Sequence, residues 1–411
     1  MNAFEWRASL SLSALYGLRM LGLFIILPVF AVYAERMPGG DSQVLVGLAI
    51  GIYGLTQAIL QIPFGWGSDR FGRKPVIYFG LAVFALGSFV AASATDIYMV
   101  ILGRTIQGAG AISAVVIALT ADLTRESHRS RAMAVIGSTI GVAFAVSLIA
   151  GPPLNAAIGV TGIFMLTGLL ALAAMLVVRF MVPDVDHNGA QAGHTAVERG
   201  AFFSEFRAVL ADRDLRRLNF GALVLHALLT ALFLVVPVVL RDAGLPVADH
   251  WHVYLPAMAV SFAAMVPVII VAERRQRVKL AFLGAILITL VSVVGFEFAL
   301  NSVTGIGLAL AGFFIGFNLL EALLPSLVSR VAPQHLRGTA VGVYSSIQFV
   351  GIFLGGAVGG VLAQTLGLAA VLWVGAALTA LWLAVSFGLR IPGASGQVSG
   401  AVDPQINPSK A

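Results

Sequence analysis

Long apolar stretches recur along the whole chain, and short polar breaks separate them. Each stretch has about 20 residues or more, the length that an α-helix needs to cross ~30 Å of hydrocarbon. The pattern predicts twelve transmembrane helices, named spans 1 to 12, and an even number places both chain ends on one side of the membrane. Their approximate cores are 9–33, 43–65, 75–95, 98–121, 131–153, 157–181, 217–240, 250–271, 279–300, 303–330, 338–363 and 367–389.

Composition supports this interpretation and removes several classes of function. Hydrophobic residues make up 59% of the 411 residues and charged residues only 11%, far from the balance of a soluble domain. The chain has no cysteine, which excludes disulfides, thiolate metal sites and cysteine nucleophiles. We predict no metal and no cofactor. The basic residues are spread between the spans rather than gathered on one face, so we expect no nucleic-acid partner.

The distribution of positive charge predicts the orientation. With a cytoplasmic N-terminus, only Arg36 and Arg241 fall in outer loops, and Arg19 and Arg104 fall inside spans. The remaining 21 of the 25 Lys and Arg residues lie at cytoplasmic positions. Cytoplasmic loops carry such an excess in inner-membrane proteins, so we expect a bacterial inner-membrane protein with both termini in the cytoplasm.

The longest polar segment divides the spans six and six. We predict an N-terminal six-helix bundle at 1–181, a cytoplasmic linker at 182–216, a C-terminal bundle at 217–390 and a disordered tail at 391–411. Within the linker, the apolar residues of "AFFSEFRAVL" share one helical face and predict an amphipathic helix on the membrane surface; they are Phe202, Phe203, Phe206 and Leu210. His187 and His194 belong to this linker, and we interpret them as solvated.

The two halves resemble each other. "DRFGR" at 69–73 is echoed by "ERRQR" at 273–277, an offset of 204 residues, and "RAMAV" at 131–135 is echoed by "RGTAV" at 337–341, an offset of 206 residues. Two matches at nearly one offset indicate that a six-helix unit was duplicated. Repeated halves are the construction of transporters that work by alternating access.

Between spans 2 and 3 stands "GWGSDRFGRKP", an unusual concentration of charge in an apolar chain. Its pattern resembles the signature loop of the major facilitator superfamily, and its residues are Gly65, Asp69, Arg70, Gly72, Arg73 and Lys74. The resemblance covers the whole membrane part of the chain. It implies an all-α membrane fold with twelve transmembrane helices in two pseudo-symmetric six-helix bundles, and it implies transport of a small molecule.

Further motifs resemble the twelve-helix drug:proton antiporter branch of that superfamily. They are Leu21-Gly22 with Pro28-Val29 in span 1, Arg104-x-x-Gln107-Gly108-x-Gly110 in span 4, and Gly151-Pro152 in span 5. Span 1 is most similar to the YajR group. The chain departs from the branch at Ala31, where a second proline is usual, and at Asn155-Ala156, where a glycine pair is usual.

The charged loop predicts a conformational latch on the cytoplasmic side. Gly72 allows a tight turn, and Asp69 is suited to the positive N-terminus of a neighbouring helix, which the family resemblance places at span 11. Arg73 is within reach of Asp122 at the end of span 4. The alternative is that these charges serve only to orient the chain, although orientation requires neither the aspartate nor the glycine.

Span 10 carries the residue that we predict to couple transport to protons. Glu321 lies near mid-membrane, where a charge must be neutralised, paired or in contact with water, and a carboxyl whose neutral form is favoured by desolvation suits proton transfer. Asn318 is one turn away, and His226 of span 7 can share the same cavity. A structural hydrogen bond is the alternative for Glu321, packing is the alternative for His226, and Glu297 is explained by the nearby membrane surface.

The N-terminal half carries buried basic and amide side chains instead. We predict that Arg19 pairs with Tyr16 and that Arg104 pairs with Gln107, because each arginine needs a polar partner in the membrane. Tyr53, Gln57 and Gln61 form one polar stripe on span 2. Binding of substrate and interhelical hydrogen bonding are equally good interpretations of that stripe.

These features together favour a non-enzymatic secondary transporter that exports a small organic compound or drug by alternating access, coupled to protons. We expect it to act as a monomer in the lipid bilayer. The chain has no phosphate-binding Gly-x-x-x-x-Gly-Lys-Ser/Thr loop, so ATP is not the direct energy source. Two alternatives remain, a membrane sensor that transports nothing and a membrane-embedded transferase. The second requires paired catalytic groups, whereas the acids in the spans are single.

The charge asymmetry predicts the outcome of a topology experiment. Reporter fusions at residues 195 and 405 should both report the cytoplasm, and a fusion at residue 245 should report the outside. A periplasmic signal at residue 195 would contradict the six-plus-six arrangement.

Overall fold

The computed structural model describes residues 1–183 and 199–391, and all of their regular structure is helical. The twelve predicted spans are confirmed. Spans 5 and 6 form one run, Arg129–Phe180, which turns at Gly159, where the backbone adopts φ 68°. The other spans are Ala3–Phe24 with Leu27–Ala34 (span 1), Gln43–Phe71, Arg73–Ala92, Ile97–Ala109 with Ser113–Asp122 (span 4), Arg213–Asp242 (span 7), Trp251–Arg274, Val278–Ala299, Val303–Val331, Arg337–Leu366 and Leu368–Phe387 (span 12).

Two spans are broken in mid-membrane for reasons visible in the sequence. Span 1 is interrupted just before Pro28, because proline has no backbone N–H to continue the helical ladder. Gly151 of span 5 packs against this break, and a Cβ there would lie 2.7 Å from the Pro28 ring and 2.8 Å from the Ile25 carbonyl. Span 4 is interrupted at Gly110. Both breaks free carbonyl groups inside the bundle.

The two halves repeat one another in three dimensions. Lys74 at the start of span 3 donates to the Val182 carbonyl after span 6, over 2.8 Å. Lys279 at the start of span 9 donates to the Phe387 carbonyl at the end of span 12, also over 2.8 Å. Each pair is related to the other by 205 residues, an offset between the two found in the sequence motifs.

The start of span 1 and the end of span 12 lie at one end of the bundle, which we call the terminal end. There the Met1 amino group lies 3.4 Å from His128, and Arg217 donates to the Gly388 carbonyl. The opposite end, the far end, joins the two halves. Glu35 after span 1 pairs with Arg241 of span 7.

The far end is closed by direct backbone packing of spans 2 and 11. Gly47 packs on Gly360, Gly51 packs on Gly356, and a Cβ at any of these positions would overlap the opposite helix. At the same end, the Gln364 side chain of span 11 accepts hydrogen bonds from the Ser42 hydroxyl and the Val44 amide at 3.0 and 3.1 Å. Small residues permit this approach between membrane helices.

Towards the terminal end the same two spans separate. Gln61 donates to Ser346 over 3.4 Å. Beyond that bond, towards the terminal end, a Cβ at Gly67, Gly338 or Gly342 would meet nothing within 4 Å, in contrast to the glycines of the far end. The arrangement is therefore closed at the far end and open at the terminal end.

The linker contains a helix at Arg199–Ala211. Val209 is fully buried and Phe206 packs against the core of the C-terminal half, whereas Leu210 is exposed. The predicted apolar face is thus displaced by one residue at its end, because the helix docks on spans 7 and 11. Its contact with the membrane surface stays a prediction. His187, His194 and the tail from residue 392 onwards lie outside the described residues.

The glycine contact predicts that a Gly→Leu substitution destabilises the protein at the contact but not at a glycine outside it. Gly356→Leu should destabilise the protein by about 1–3 kcal/mol, because overpacking forces neighbouring backbones apart. Gly284→Leu in span 9 is the control, since a Cβ there meets nothing within 4 Å. Apparent melting temperatures in detergent measure both variants, and equal values would contradict the role of the contact.

Candidate transport site

An aromatic cluster closes the space between the halves on the far side of mid-membrane. Phe144 of span 5 lies at its centre, with ring centroids 5.0 to 6.5 Å from its neighbours in spans 1, 7 and 10. We call this cluster the aromatic plug; its members are Phe24, Phe144, Phe233, Phe314 and Phe317. Span 10 runs from the far end to the terminal end, so Glu321 lies directly below the plug.

Glu321 belongs to a polar cluster formed by spans 7, 10 and 11. Its Oε2 lies 3.5 Å from His226 Nε2, and its Oε1 accepts a hydrogen bond from Gln348 Nε2 at 3.3 Å. The Glu321 side chain is 37% exposed, whereas that of His226 is only 9% exposed. The Glu321 side chain is therefore partly exposed, although its Oε2 is buried and makes no hydrogen bond within the described ranges; the imidazole is more deeply buried.

Gln348 is the centre of this cluster, and the sequence did not single it out. Its Nε2 is within 3.1 Å of both His226 Nε2 and the Tyr344 hydroxyl, in addition to Glu321. A primary amide has two hydrogens, so Gln348 can serve two of these three acceptors at a time. The spacing of four residues between Tyr344 and Gln348 on one face of span 11 was the available signal.

His226 is held by its other nitrogen. Its Nδ1 lies 3.0 Å from the Ala222 carbonyl, one turn earlier in span 7, so Nδ1 carries the hydrogen in the neutral ring. Nε2 then presents a lone pair towards Gln348 and Glu321. Phe317 of the plug packs at 6.2 Å from the imidazole ring.

Asn318, one turn from Glu321 in span 10, makes its side-chain hydrogen bond to another span. It donates to the Ser261 hydroxyl of span 8, over 2.7 Å. Asn318 therefore joins spans 8 and 10.

Arg19 is the centre of a second polar cluster, in the N-terminal half. It donates to the Ser113 hydroxyl at 2.8 Å, the Tyr53 hydroxyl at 2.7 Å and Gln57 Oε1 at 2.5 Å. It also reaches the Gly110 carbonyl at the break in span 4, at 3.3 Å. The predicted partner Tyr16 makes no hydrogen bond to Arg19 in the described part of the chain, because the guanidinium is directed at spans 2 and 4.

Arg104 is also satisfied within its own half. It donates to Gln107 at 3.0 Å, as the sequence predicted, and to the carbonyls of Ala49 and Ile50 in span 2 at 3.3 and 3.4 Å. The Tyr53 ring lies between the two arginines, 5.1 Å from the Arg104 guanidinium. Arg19 and Arg104 are only 1% and 2% exposed. Neither faces the open space.

The rest of the stripe on span 2 joins the halves. Gln61 bonds to Ser346, as described above, while Tyr53 and Gln57 bond to Arg19. On the opposite wall, span 5 contributes a cleft of about 370 Å³ lined by Ala134, Val135, Ser138, Thr139 and Val142.

The charged loop between spans 2 and 3 is organised by Arg73. It contacts Asp122 at 2.9 Å, Asp69 at 2.5 Å and the Ser68 hydroxyl at 2.6 Å. Gly72 turns the chain with φ 91°. Asp69 itself remains 61% exposed. In this open arrangement Asp69 contacts its own loop rather than span 11, and the latch stays a prediction.

Other residues of the loop and its surroundings pack locally. The Gly65 carbonyl accepts from Ser68 at 2.7 Å, and the Arg70 guanidinium lies 5.9 Å from the Trp66 ring. Nearby, Arg125 makes two hydrogen bonds to the Glu5 carboxylate, at 2.8 and 3.0 Å. These bonds raise the pKa of Arg125 above its ordinary value.

No group of three or more potential metal ligands occurs within residues 1–183 and 199–391. Glu297 of span 9 has one oxygen that is buried without a hydrogen-bond partner among those residues. Pro152 follows Gly151 inside the helix of span 5 and is buried. The chemistry of the site thus rests on carboxylate, imidazole, amide and hydroxyl groups.

Two bundles of six helices around a central polar site, with one end closed, define a membrane transporter fold. The family model "Major Facilitator Superfamily" matches residues 12–356, and the chain belongs to this family. It is 42% identical over 388 residues to the inner membrane transport protein YajR of Escherichia coli strain K12, covering 94% of this chain and 84% of the relative. It is 25% identical over 350 residues to the multidrug resistance protein MdtH of Aeromonas hydrophila, covering 83% and 82%.

Solved structures share the fold. The human organic anion transporter MFSD10 matches with a TM-score of 0.70 at 18% identity, over 94% of this chain and all of that one. A bacterial homologue of the lysosomal transporter Spinster, in an inward-facing and occupied conformation, matches with a TM-score of 0.73 at 14% identity, over 94% and 97%. The chain is thus a multi-pass membrane transporter.

The arginine cluster predicts that loss of the hydroxyl group destabilises the protein at one of two equally buried tyrosines and not at the other. Tyr53→Phe removes a hydrogen bond to the Arg19 guanidinium and should cost about 1.5–3 kcal/mol. Tyr254→Phe is the matched control, because the Tyr254 hydroxyl is buried with no hydrogen-bond partner in the described ranges. Apparent melting temperatures should fall for the first variant only. A similar fall for both would show that Arg19 does not depend on Tyr53.

Proposed function

We propose that this protein is a proton-coupled secondary transporter that exports a small organic compound by alternating access. The observation that carries the proposal is the contact of His226 with Glu321 below the aromatic plug, at the boundary between the closed far end and the open terminal end. Groups at that boundary experience both sides of the membrane as the two ends open in turn.

The geometry of the pair favours a shared proton. With hydrogen on Nδ1, His226 Nε2 and Glu321 Oε2 are both lone-pair acceptors, 3.5 Å apart. Two acceptors at this distance repel each other, and a proton on either atom converts the contact into an attraction. A carboxylate inside the membrane is costly when unpaired. Loss of the proton therefore favours the binding of another positively charged group at this position.

Gln348 links the protonation state to span 11. When His226 Nε2 accepts a proton it ceases to be an acceptor, and the Gln348 amide is then free to donate to Glu321 and Tyr344. Span 11 also forms the glycine contact with span 2 that closes the far end. A change at the proton site thus reaches the element whose packing differs between open and closed arrangements.

Several features support the remaining parts of the proposal. The excess of Lys and Arg at the terminal end supports a cytoplasmic location of that end, in a bacterial inner membrane. The name of the relative MdtH supports export of drug-like compounds. The two arginines are enclosed by their own hydrogen bonds, so Glu321 is the charged group that a substrate in the open cavity can contact.

A substitution at Glu321 tests the coupling. Glu321→Gln keeps the shape and hydrogen-bonding capacity of the side chain but fixes it in a neutral state. We expect uphill transport driven by a pH gradient to be abolished, while binding and exchange of substrate are partly retained. Glu297→Gln in span 9 is the control and should behave as wild type.

The measurement is flux in proteoliposomes, with and without an imposed pH gradient, of a compound identified by a thermal-shift screen of purified protein. Accumulation by the Glu321→Gln variant at the level of wild type would rule out Glu321 as the proton carrier, and His226 would be tested next. Binding without any flux in wild type would favour the sensor.

A further inference from the structure

A residue of the linker helix contacts the first turn of span 11. Glu205 Oε2 accepts a hydrogen bond of 2.6 Å from the Thr339 hydroxyl. Phe206 and Val209 of the same helix pack against the core of the C-terminal half. The linker helix is therefore fixed on that half, and it places one carboxylate at the terminal end of span 11.

This position attracts a negative charge. Span 11 begins at Arg337, and the preceding residue Leu336 provides no side-chain hydrogen bond to the first amides. The first amides of a helix have no intrahelical partners and carry a partial positive charge. Glu205 lies beside the third residue of the helix, Thr339, to which it is hydrogen-bonded.

The register of spans 2 and 11 shows which residue of the other half approaches the same turn. Gly47 faces Gly360, Gly51 faces Gly356 and Gln61 bonds to Ser346, so the numbers of facing residues add up to 407. Continued to the terminal end, this register places Asp69 opposite residue 338. Gly338 is exposed, and a Cβ there would meet nothing within 4 Å.

We propose that Glu205 and Asp69 are alternative partners of the first turn of span 11, so that Glu205 favours the arrangement open at the terminal end. Closure of that end brings the Asp69 carboxylate to a turn that Glu205 already occupies, and two carboxylates at one site repel each other. Arg337 lies in that turn, and Arg73 contacts Asp69. The inference rests on the alternating access of the proposed function.

The distance between spans 2 and 11 at the terminal end tests the proposal. The chain has no cysteine, so Gly67→Cys and Gly342→Cys can carry a pair of spin labels; a Cβ at either position meets nothing within 4 Å. Pulsed electron resonance in lipid nanodiscs then gives the populations of long (open) and short (closed) distances. Glu205→Gln should raise the ratio of closed to open by about two- to five-fold, the size of a charge effect at a helix terminus.

Three further variants make the test specific. Thr339→Val removes the hydroxyl that Glu205 binds and should produce the same shift, and the double variant should shift no further than either single one. Asp69→Asn should shift the ratio in the opposite direction. Arg207→Gln, an exposed position on the linker helix, should leave the ratio unchanged.

Two results would overturn the proposal, and they have different consequences for the Asp69 latch and for alternating access. An unchanged ratio in Glu205→Gln, with a shift in Asp69→Asn, removes the role of the linker and leaves the latch intact. A single unchanged distance in every variant removes both, and flux of the screened compound in proteoliposomes then decides whether alternating access fails as well.

Discussion

The backbone contact between spans 2 and 11 is the constraint on which the rest of the structure depends. Burial of apolar surface does not hold membrane helices together, because the lipid is equally apolar, so close packing of small residues takes its place. Glycines on both spans bring the two backbones together at the far end and fix the register of the pair. That register determines which residues meet at mid-membrane, where Gln61 bonds to Ser346, and which residues stand opposite each other at the separated terminal end.

The two halves use their polar residues differently, although equivalent contacts recur in both at one offset. Arg19 and His226 stand 207 residues apart, within a few residues of the repeat offset. Arg19 is enclosed by hydroxyl, amide and carbonyl groups, which keep a permanent charge buried. His226 faces a carboxylate on the edge of the open cavity, and its contacts depend on where one proton resides. The first half is built to hold its charge, whereas the second is suited to exchange it.

The fold could be predicted from the sequence because hydropathy and the length of a span leave few alternatives in a membrane. The Arg104–Gln107 pair and the contact of Arg73 with Asp122 also followed from spacing and position. The partners of Arg19 did not, because they depend on the break at Gly110, which turns Ser113 and a carbonyl inwards. Gln348 was missed for a related reason, since its three acceptors come from spans 7, 10 and 11. The hydropathy pattern does not predict which end is open, because it is the same whether the terminal end or the far end is open.

We propose that the two ends of the protein open in turn about the contact of spans 2 and 11. Spin-label pairs at both ends of the same protein test it most directly, with Asp41→Cys and Thr365→Cys at the far end and the pair on spans 2 and 11 at the terminal end. The account predicts opposite changes: whenever the terminal-end distance shortens, the far-end distance lengthens. Two results would contradict alternating access. In one, both distances shorten or lengthen together; in the other, the far end stays closed in every condition, even when the terminal end closes.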